Sequence, residues 1–501
     1  MSSKFRNRCT PGHQHRVASP LDLLRALKRS HFCSNIVEQK PTGLASATET
    51  KLPPQAPPFL YGIPPEGTVY VPKQPATQKL KKIIEENYYG TFFENAIRTV
   101  STQNIPELNC IKTLDQFYFY VDALVTWIPE IRVWDWDGEA LHERTPYLRI
   151  TQFYYYFNQP QLEALQSPIE PVEGAKLSPI SLWLRDFAVE WGEFLDTEAS
   201  HKYLESFKYA PEYNWQDYTK SPEEYESFNA FFARTFKDID VQRPVAQAKD
   251  DRVIVFPVES TFVGQWAIST PVGEPLPAPP SIVVKHIEWS IHELLQDSEH
   301  ASAFEGGIFC HTFLNTYDYH RQHTSVAGKV LEAKFIPGQV YLEVNLEEKG
   351  ETDVNGDVAR AVIPQRYLNA EDPTGYQFVQ CRGLLVLESA IGKVAILPMG
   401  MAQVSSIVFV TPEAEGHKPI VLTPEEKNGR DYQQQVDLVN KKIHNALVGK
   451  HLKKGEMFSY FQFGGSDCVM VFERKANVDI TADVNTHYLV RSQCAISNIN
   501  Q

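Results

Sequence analysis

The chain has 501 residues, enough for two or three domains, and 43% hydrophobic with 12% aromatic residues supplies sizeable cores. A net charge of -14 excludes the broad basic surface that nonspecific nucleic-acid binding needs, and it weighs against a permanent seat on anionic lipid. No run of about 18 apolar residues occurs, so no transmembrane helix is expected and membrane contact would be at most peripheral. Cys9, Cys33, Cys110, Cys310, Cys381, Cys468 and Cys494 are too scattered for a zinc site or a disulfide framework. No metal is expected, and the chain reads as reduced and cytoplasmic.

Residues 1–79 read as a basic, then proline-rich, largely disordered arm. Lys4, Arg6, Arg8, Arg16, Arg25, Lys28 and Arg29 face a single acid, Asp22, around the weakly amphipathic stretch Leu21–Leu27. That is how a mitochondrial transit peptide looks, and equally a solvated tail. Pro53-Pro54 and Pro57-Pro58 then break helix and sheet. Over 80–226 the pattern is helical. Ser178 is the predicted N-cap with Pro179 in the first turn, and Ile180, Leu184, Phe187, Trp191 and Leu195 recur on one face, predicting an amphipathic helix of about four turns. The clusters Phe117-Tyr118-Phe119-Tyr120 and Phe153-Tyr154-Tyr155-Tyr156-Phe157 are expected in a core or domain interface, with pocket lining as the other reading. Trp134-Asp135-Trp136-Asp137-Gly138 reads as a turn or loop. From about 250, short runs such as Arg252–Pro257 and Val394–Pro398 alternate with turns. The expected class is α+β, a helical N-terminal region followed by an antiparallel β-rich domain over 227–501.

Two segments could carry chemistry. In Tyr319-His320-Arg321-Gln322-His323-Thr324, two imidazoles can take and return protons at neutral pH, although such a pair alone is as well a metal half-site or two surface histidines. In Lys453–Asp467, Gly464-Gly465-Ser466 lies between aromatic and β-branched runs. Without a Cβ on either glycine, the backbone can fold tightly enough for the Ser466 hydroxyl to approach the Gly465 carbonyl. An ordinary glycine hairpin is the plainer reading of that tripeptide.

Taken together, these segments resemble the phosphatidylserine decarboxylase family. The likeness begins at Ser227–Lys237 with Arg243-Pro244, continues through the Tyr-His-Arg-x-His segment, and ends in a Lys454-Gly455-Glu456 turn leading to Gly-Gly-Ser. Phe304–Gly307, Val326–Val330, Ile336–Gly338 and Met399–Ile407 match as well, and a polar insertion at about 411–447 interrupts the likeness. The resemblance implies a proenzyme that cuts itself between Gly465 and Ser466 into β and α chains. The hydroxyl adds to the carbonyl and the C–N bond breaks to leave an ester, β-elimination of that carboxylate leaves dehydroalanine, and hydrolysis with loss of ammonia makes Ser466 a covalent pyruvoyl group that can form a Schiff base with a substrate amine, without pyridoxal phosphate. His323 is implied as the base that activates Ser466, and His320 as a proton handler in decarboxylation. Where the family has aspartate in Pro-x-Asp-Gly, this chain has Glu259, implying a Glu259-His323-Ser466 triad; an exposed strand-end acid is the alternative. Asp467, where the family more often has serine or threonine, is a further departure.

Glu259, Gly-Gly-Ser and the long helical region resemble the branch that decarboxylates free amino acids, fungal tryptophan decarboxylases among them. That implies a small amino-acid substrate, aromatic side chains included. The alternative substrate is phosphatidylserine, and the second alternative is an uncleaved, noncatalytic relative; a homodimer is left open. The Lys454-Gly455-Glu456 hairpin also looks like those of lipoyl and biotin carriers, but a carrier needs an exposed lysine at the hairpin tip, where this chain has Gly464-Gly465-Ser466.

Overall fold

The proline-rich arm ends earlier than its composition suggests. The computed structural model describes residues 57–499 except 137–138, 144, 170–175, 270–280, 285–286, 297, 350–364, 371–374, 376–377 and 401–406. The basic N-terminal segment, Pro53-Pro54 and residues 401–406 of the Met399–Ile407 motif therefore lie outside the described residues. Helix α1 (Pro75–Glu86) opens inside the expected arm, because proline's missing N–H costs nothing in a first turn. The preceding stretch is pinned down rather than loose. The Tyr70 hydroxyl and the Lys73 amide donate to Asp122 Oδ2 at 2.8 and 2.7 Å, and the Gln74 amide donates to Oδ1 at 3.1 Å.

The described residues fall into two units. The smaller includes 133–142, where strands Arg132–Trp136 and Glu139–Glu143 pair. Trp134–Trp136 is thus strand rather than the expected loop, in keeping with the valine and tryptophans of Arg132–Trp136. In the larger unit, α2 (Gly90–Ser101), α3 (Leu114–Val125), α4 (Thr145–Phe157) and α5 (Pro179–Leu195) follow α1. Helix α5 forms as its periodicity predicts: Ser178 accepts from the Ser181 amide at 3.1 Å, and Ile180, Leu184, Phe187, Trp191 and Leu195 are all buried. The two aromatic clusters are core. Phe153 stacks on Phe187 at 4.5 Å and Phe117 meets Tyr156 edge-on at 5.0 Å. Each such ring contributes roughly 1.5–3 kcal/mol through burial.

A short helix, α6 (Phe228–Phe232), leads into the β-rich part. Its strands are β1 (Ser260–Ala267), β2 (Ile308–Phe313), β3 (Arg321–His323), β4 (Gly328–Ile336), β5 (Arg382–Ser389), β6 (Gly392–Gly400), β7 (Ile407–Phe409), β8 (His451–Leu452), β9 (Met457–Phe461), β10 (Gly465–Phe472) and β11 (His487–Tyr488). An eight-stranded sheet runs β8-β4-β5-β6-β10-β2-β1-β11, and a three-stranded sheet runs β7-β9-β3. Their ladders are antiparallel, so the α+β reading holds. Strand β10 is central, between β6 and β2, and Phe309, Leu397, Met399, Val469 and Val471 build the apolar core on one face of the sheet.

The insertion supplies helix α7 (Tyr432–Leu447), begun by an Asp431 capping box. Asn440 bonds both backbone groups of Phe335, its Oδ1 accepting at 2.7 Å and its Nδ2 donating at 2.9 Å. The helix therefore braces β4, separated from β10 by β5 and β6.

The turn into β9 depends on Gly455, whose φ is +77°. A Cβ there would lie 2.7 Å from Val245 Cγ2 and 3.1 Å from Arg491 Nε. Gly455→Ala is expected to destabilise the fold by roughly 1–3 kcal/mol, seen as a lower Tm in calorimetry. An unchanged Tm would show that the turn tolerates a side chain.

Candidate active site

Strand pairing brings the two chemistry-bearing segments together. Met457 on β9 lies opposite His323 on β3, and Tyr460 lies opposite Arg321. The Phe461 amide donates to the His320 carbonyl at 2.8 Å, and the Thr324 amide donates to the Glu456 carbonyl at 2.9 Å. Lys454 is drawn inward, its ammonium donating to the carbonyls of Gln247, Asp250 and Val253 at 2.8, 2.9 and 3.1 Å. It is a structural clasp, not the exposed lysine of a carrier hairpin.

His323 is buried, with Nδ1 2.8 Å from the Gly455 carbonyl and Nε2 3.2 Å from the Tyr319 hydroxyl. A carbonyl only accepts, so Nδ1 carries the proton and Nε2 is the basic nitrogen, accepting from Tyr319. Burial, followed by the Arg491 charge, pushes its pKa down to about 3, so the ring is neutral at physiological pH. His320 is fully buried and stacks on Phe232 at 3.7 Å. Burial and then Arg234 hold its pKa well below the usual imidazole range, partly opposed by the backbone at Asn315 and Asp318. Neither of its ring nitrogens makes a well-formed hydrogen bond.

Glu259 is buried, not an exposed strand-end acid. Its carboxylate is held bidentately by Arg243, Oε2 accepting from Nε at 2.8 Å and Oε1 from Nη2 at 3.0 Å. The structure therefore places Glu259 on a guanidinium, while the imidazole N–H of His323 is taken by a backbone carbonyl. Ser466 and Gly465 lie at the start of β10, Gly465 opposite Gly400 where the register shifts, directly after a turn in which Gly464 has φ +108°. The Ser466 side chain lies outside the described residues.

Arg491 and His311 were not singled out by the sequence motifs, and Tyr319 and Asp467 were named there without these partners. Arg491 donates through Nε to the Gly455 carbonyl at 2.9 Å, beside His323, and Tyr319 caps the basic nitrogen. His311 and Asp467 are both fully buried, with Nε2 and Oδ2 3.6 Å apart. Strand alternation puts this pair on the face carrying Val469, next to the apolar core. The one sequence signal for it is an aspartate opening an apolar strand. Among the described residues, no group of three or more His, Cys, Asp and Glu is placed to hold a metal.

The sequence profile of phosphatidylserine decarboxylase matches residues 228–493, more than half of the chain. Similar curated proteins include phosphatidylserine decarboxylase proenzyme 3 of Schizosaccharomyces pombe, 24% identical over 302 residues, which are 60% of this chain and 24% of that protein. The phosphatidylserine decarboxylase proenzyme of Fusobacterium nucleatum is 25% identical over 62% of this chain and 80% of its own length. That of Shewanella loihica is 30% identical over 38% of this chain and 55% of its own length.

The buried imidazole has a pH signature. Its pKa is about 3 when folded against 6.5 in the reference state, so between these values the unfolded chain binds a proton that the folded chain excludes. This contribution to stability is complete above pH 6.5 and is lost as pH falls toward 3. His323→Gln should flatten the slope of unfolding free energy against pH between about 4 and 6 by up to about one proton, measured by chemical denaturation. An unaltered slope would mean that His323 is already charged in the folded protein.

Proposed function

The chain belongs to the phosphatidylserine decarboxylase family, and we propose that it is a self-processing decarboxylase acting on phosphatidylserine. The observation that carries this is the ladder that sets two buried, neutral histidines against the Lys453–Ser466 segment, all inside the family's matched stretch. A pyruvoyl group made from Ser466 fits these surroundings. Gly464 and Gly465 leave the preceding backbone uncrowded, Nε2 of His323 is basic, and the His320 ring nitrogens are buried without a well-formed partner. Once made, that group supplies a ketone able to condense with an amine and take up the electron pair released with carbon dioxide.

The chain's own residues then divide the work. His323 Nε2 takes the proton of the Ser466 hydroxyl, which requires the Tyr319 hydroxyl to give way. The Gly455 carbonyl holds the opposite N–H and fixes the tautomer, the role that a carboxylate has in many triads. Glu259 serves this base indirectly, its charge balanced by Arg243 behind the site. His320 handles the proton at the reacting centre.

The names of the relatives support a phospholipid over the free amino acid that the departures from the family pattern suggest, and the tryptophan branch gains no support from them. Phosphatidylserine offers the required amine next to a carboxylate.

Intact-mass spectrometry of wild type beside Ser466→Ala tests the processing. The wild type is expected as two chains, with the 466–501 fragment carrying pyruvoyl in place of serine, and the variant as one. A single uncut chain in both would favour a noncatalytic relative. Release of carbon dioxide from phosphatidylserine vesicles but not from tryptophan is expected next, and the opposite preference would reverse the substrate assignment.

A further inference from the structure

The turn that precedes the proposed scissile bond is held by Asn229, which is in turn held from upstream of the family's shared segment. The Phe463 amide, three residues ahead of Ser466, donates to Asn229 Oδ1 at 3.0 Å in a fully buried bond. The Asn229 amide group cannot be reversed, because its Nδ2 donates to the Gly192 carbonyl at 3.1 Å and to Asp196 Oδ1 at 3.0 Å. Gln462 donates to the same Asp196 oxygen at 2.9 Å. The Phe463 ring is enclosed by Trp191, Phe228 and Phe232 at 5.8, 5.1 and 5.5 Å, and Phe232 is the ring on which His320 stacks. Gly192 and Trp191 belong to α5, and Asp196 is its C-cap, all upstream of the matched residues 228–493.

Resting on the processing reading above, we infer that the helical region is a positioning element for self-cleavage. Helix α5 orients Asn229, Asn229 fixes the Phe463 backbone, and this fixes the left-handed Gly464 turn through which Gly465 is presented to Ser466. Attack of a hydroxyl on the preceding carbonyl needs a narrow set of backbone angles, and a turn containing two glycines does not keep one set unaided. The bond between Gly465 and Ser466 therefore breaks only after α5 has docked, so that the helical region folds before the cut.

The test is a timed cell-free translation of the full chain, following the 466–501 fragment by gel and intact mass. Asn229→Leu is expected to slow its appearance roughly tenfold, the effect of leaving one buried amide unpaired. Asp196→Asn keeps an oxygen that accepts from both Asn229 and Gln462, and should retain most of the rate that Asp196→Ala loses. Melting temperatures on a Ser466→Ala background separate positioning from loss of fold. If Asn229→Leu does not fold, Asp196→Ala at the exposed end of α5 takes its place, with an expected slowing of roughly threefold. Wild-type rates in the folded Asn229→Leu and Asp196→Ala variants overturn the inference, as does a folded Asp196→Asn variant that is as slow as Asp196→Ala. A wild type that never cleaves overturns the processing reading itself, and this inference with it.

Discussion

The site depends on one strand pairing. His323 and the Gly455 carbonyl it touches are 132 residues apart, and the β3–β9 ladder is what makes them neighbours. Side chains alternate along a strand, so a slip of one residue would turn His323 away and present Gln322 instead. The elements around the ladder guard its register. A Cβ at Gly455 would crowd Val245 and Arg491, Lys454 ties the turn to three carbonyls of another segment, and the His323 amide donates to the Pro257 carbonyl at 2.8 Å on the opposite side.

Burial decides the electrostatics of this neighbourhood more than pairing does. Arg243 takes up the nearby carboxylate, and Arg491 adds positive charge beside an imidazole already out of water. A base held so low is weak, but it returns its proton readily, which suits a reaction in which the same group must give back what it takes. The carbonyl at Nδ1 supplies orientation without the full charge of a carboxylate. This differs from the triad that Glu259 suggests, and the difference lies in which cation the glutamate reaches first.

The sequence was legible where one segment states its own geometry. Helix α5 followed from its cap and its apolar spacing, the aromatic clusters proved to be core, and the antiparallel β class followed from short β-branched runs between turns. Misread stretches were those whose neighbours are distant in sequence. Proline content suggested a loose arm before α1, but Asp122 anchors it, and an isolated Trp-Asp-Trp gave no hint of its strand partner. At the site, His320, His323 and the Gly-Gly-Ser turn stood out through their joint resemblance to one family, since each local pattern alone had a plainer reading. Arg243 on Glu259, Arg491 on Gly455 and His311 beside Asp467 are meetings of remote segments, and no spacing rule announces them.

The central position of β10 has a consequence for the proposed cut between Gly465 and Ser466. The six residues of the strand beyond Ser466, 467–472, are laddered to β6 on one side and to β2 on the other, so breaking the bond at its first step would remove a covalent link without freeing the strand. Folding thereby changes molecularity. On the proposed cut a single chain would become a noncovalent complex of two fragments, and its reassembly from denaturant would depend on concentration where the precursor's own folding does not. The cleaved form would persist through the slowness of unzipping the middle of a sheet, its durability a lifetime rather than an equilibrium constant.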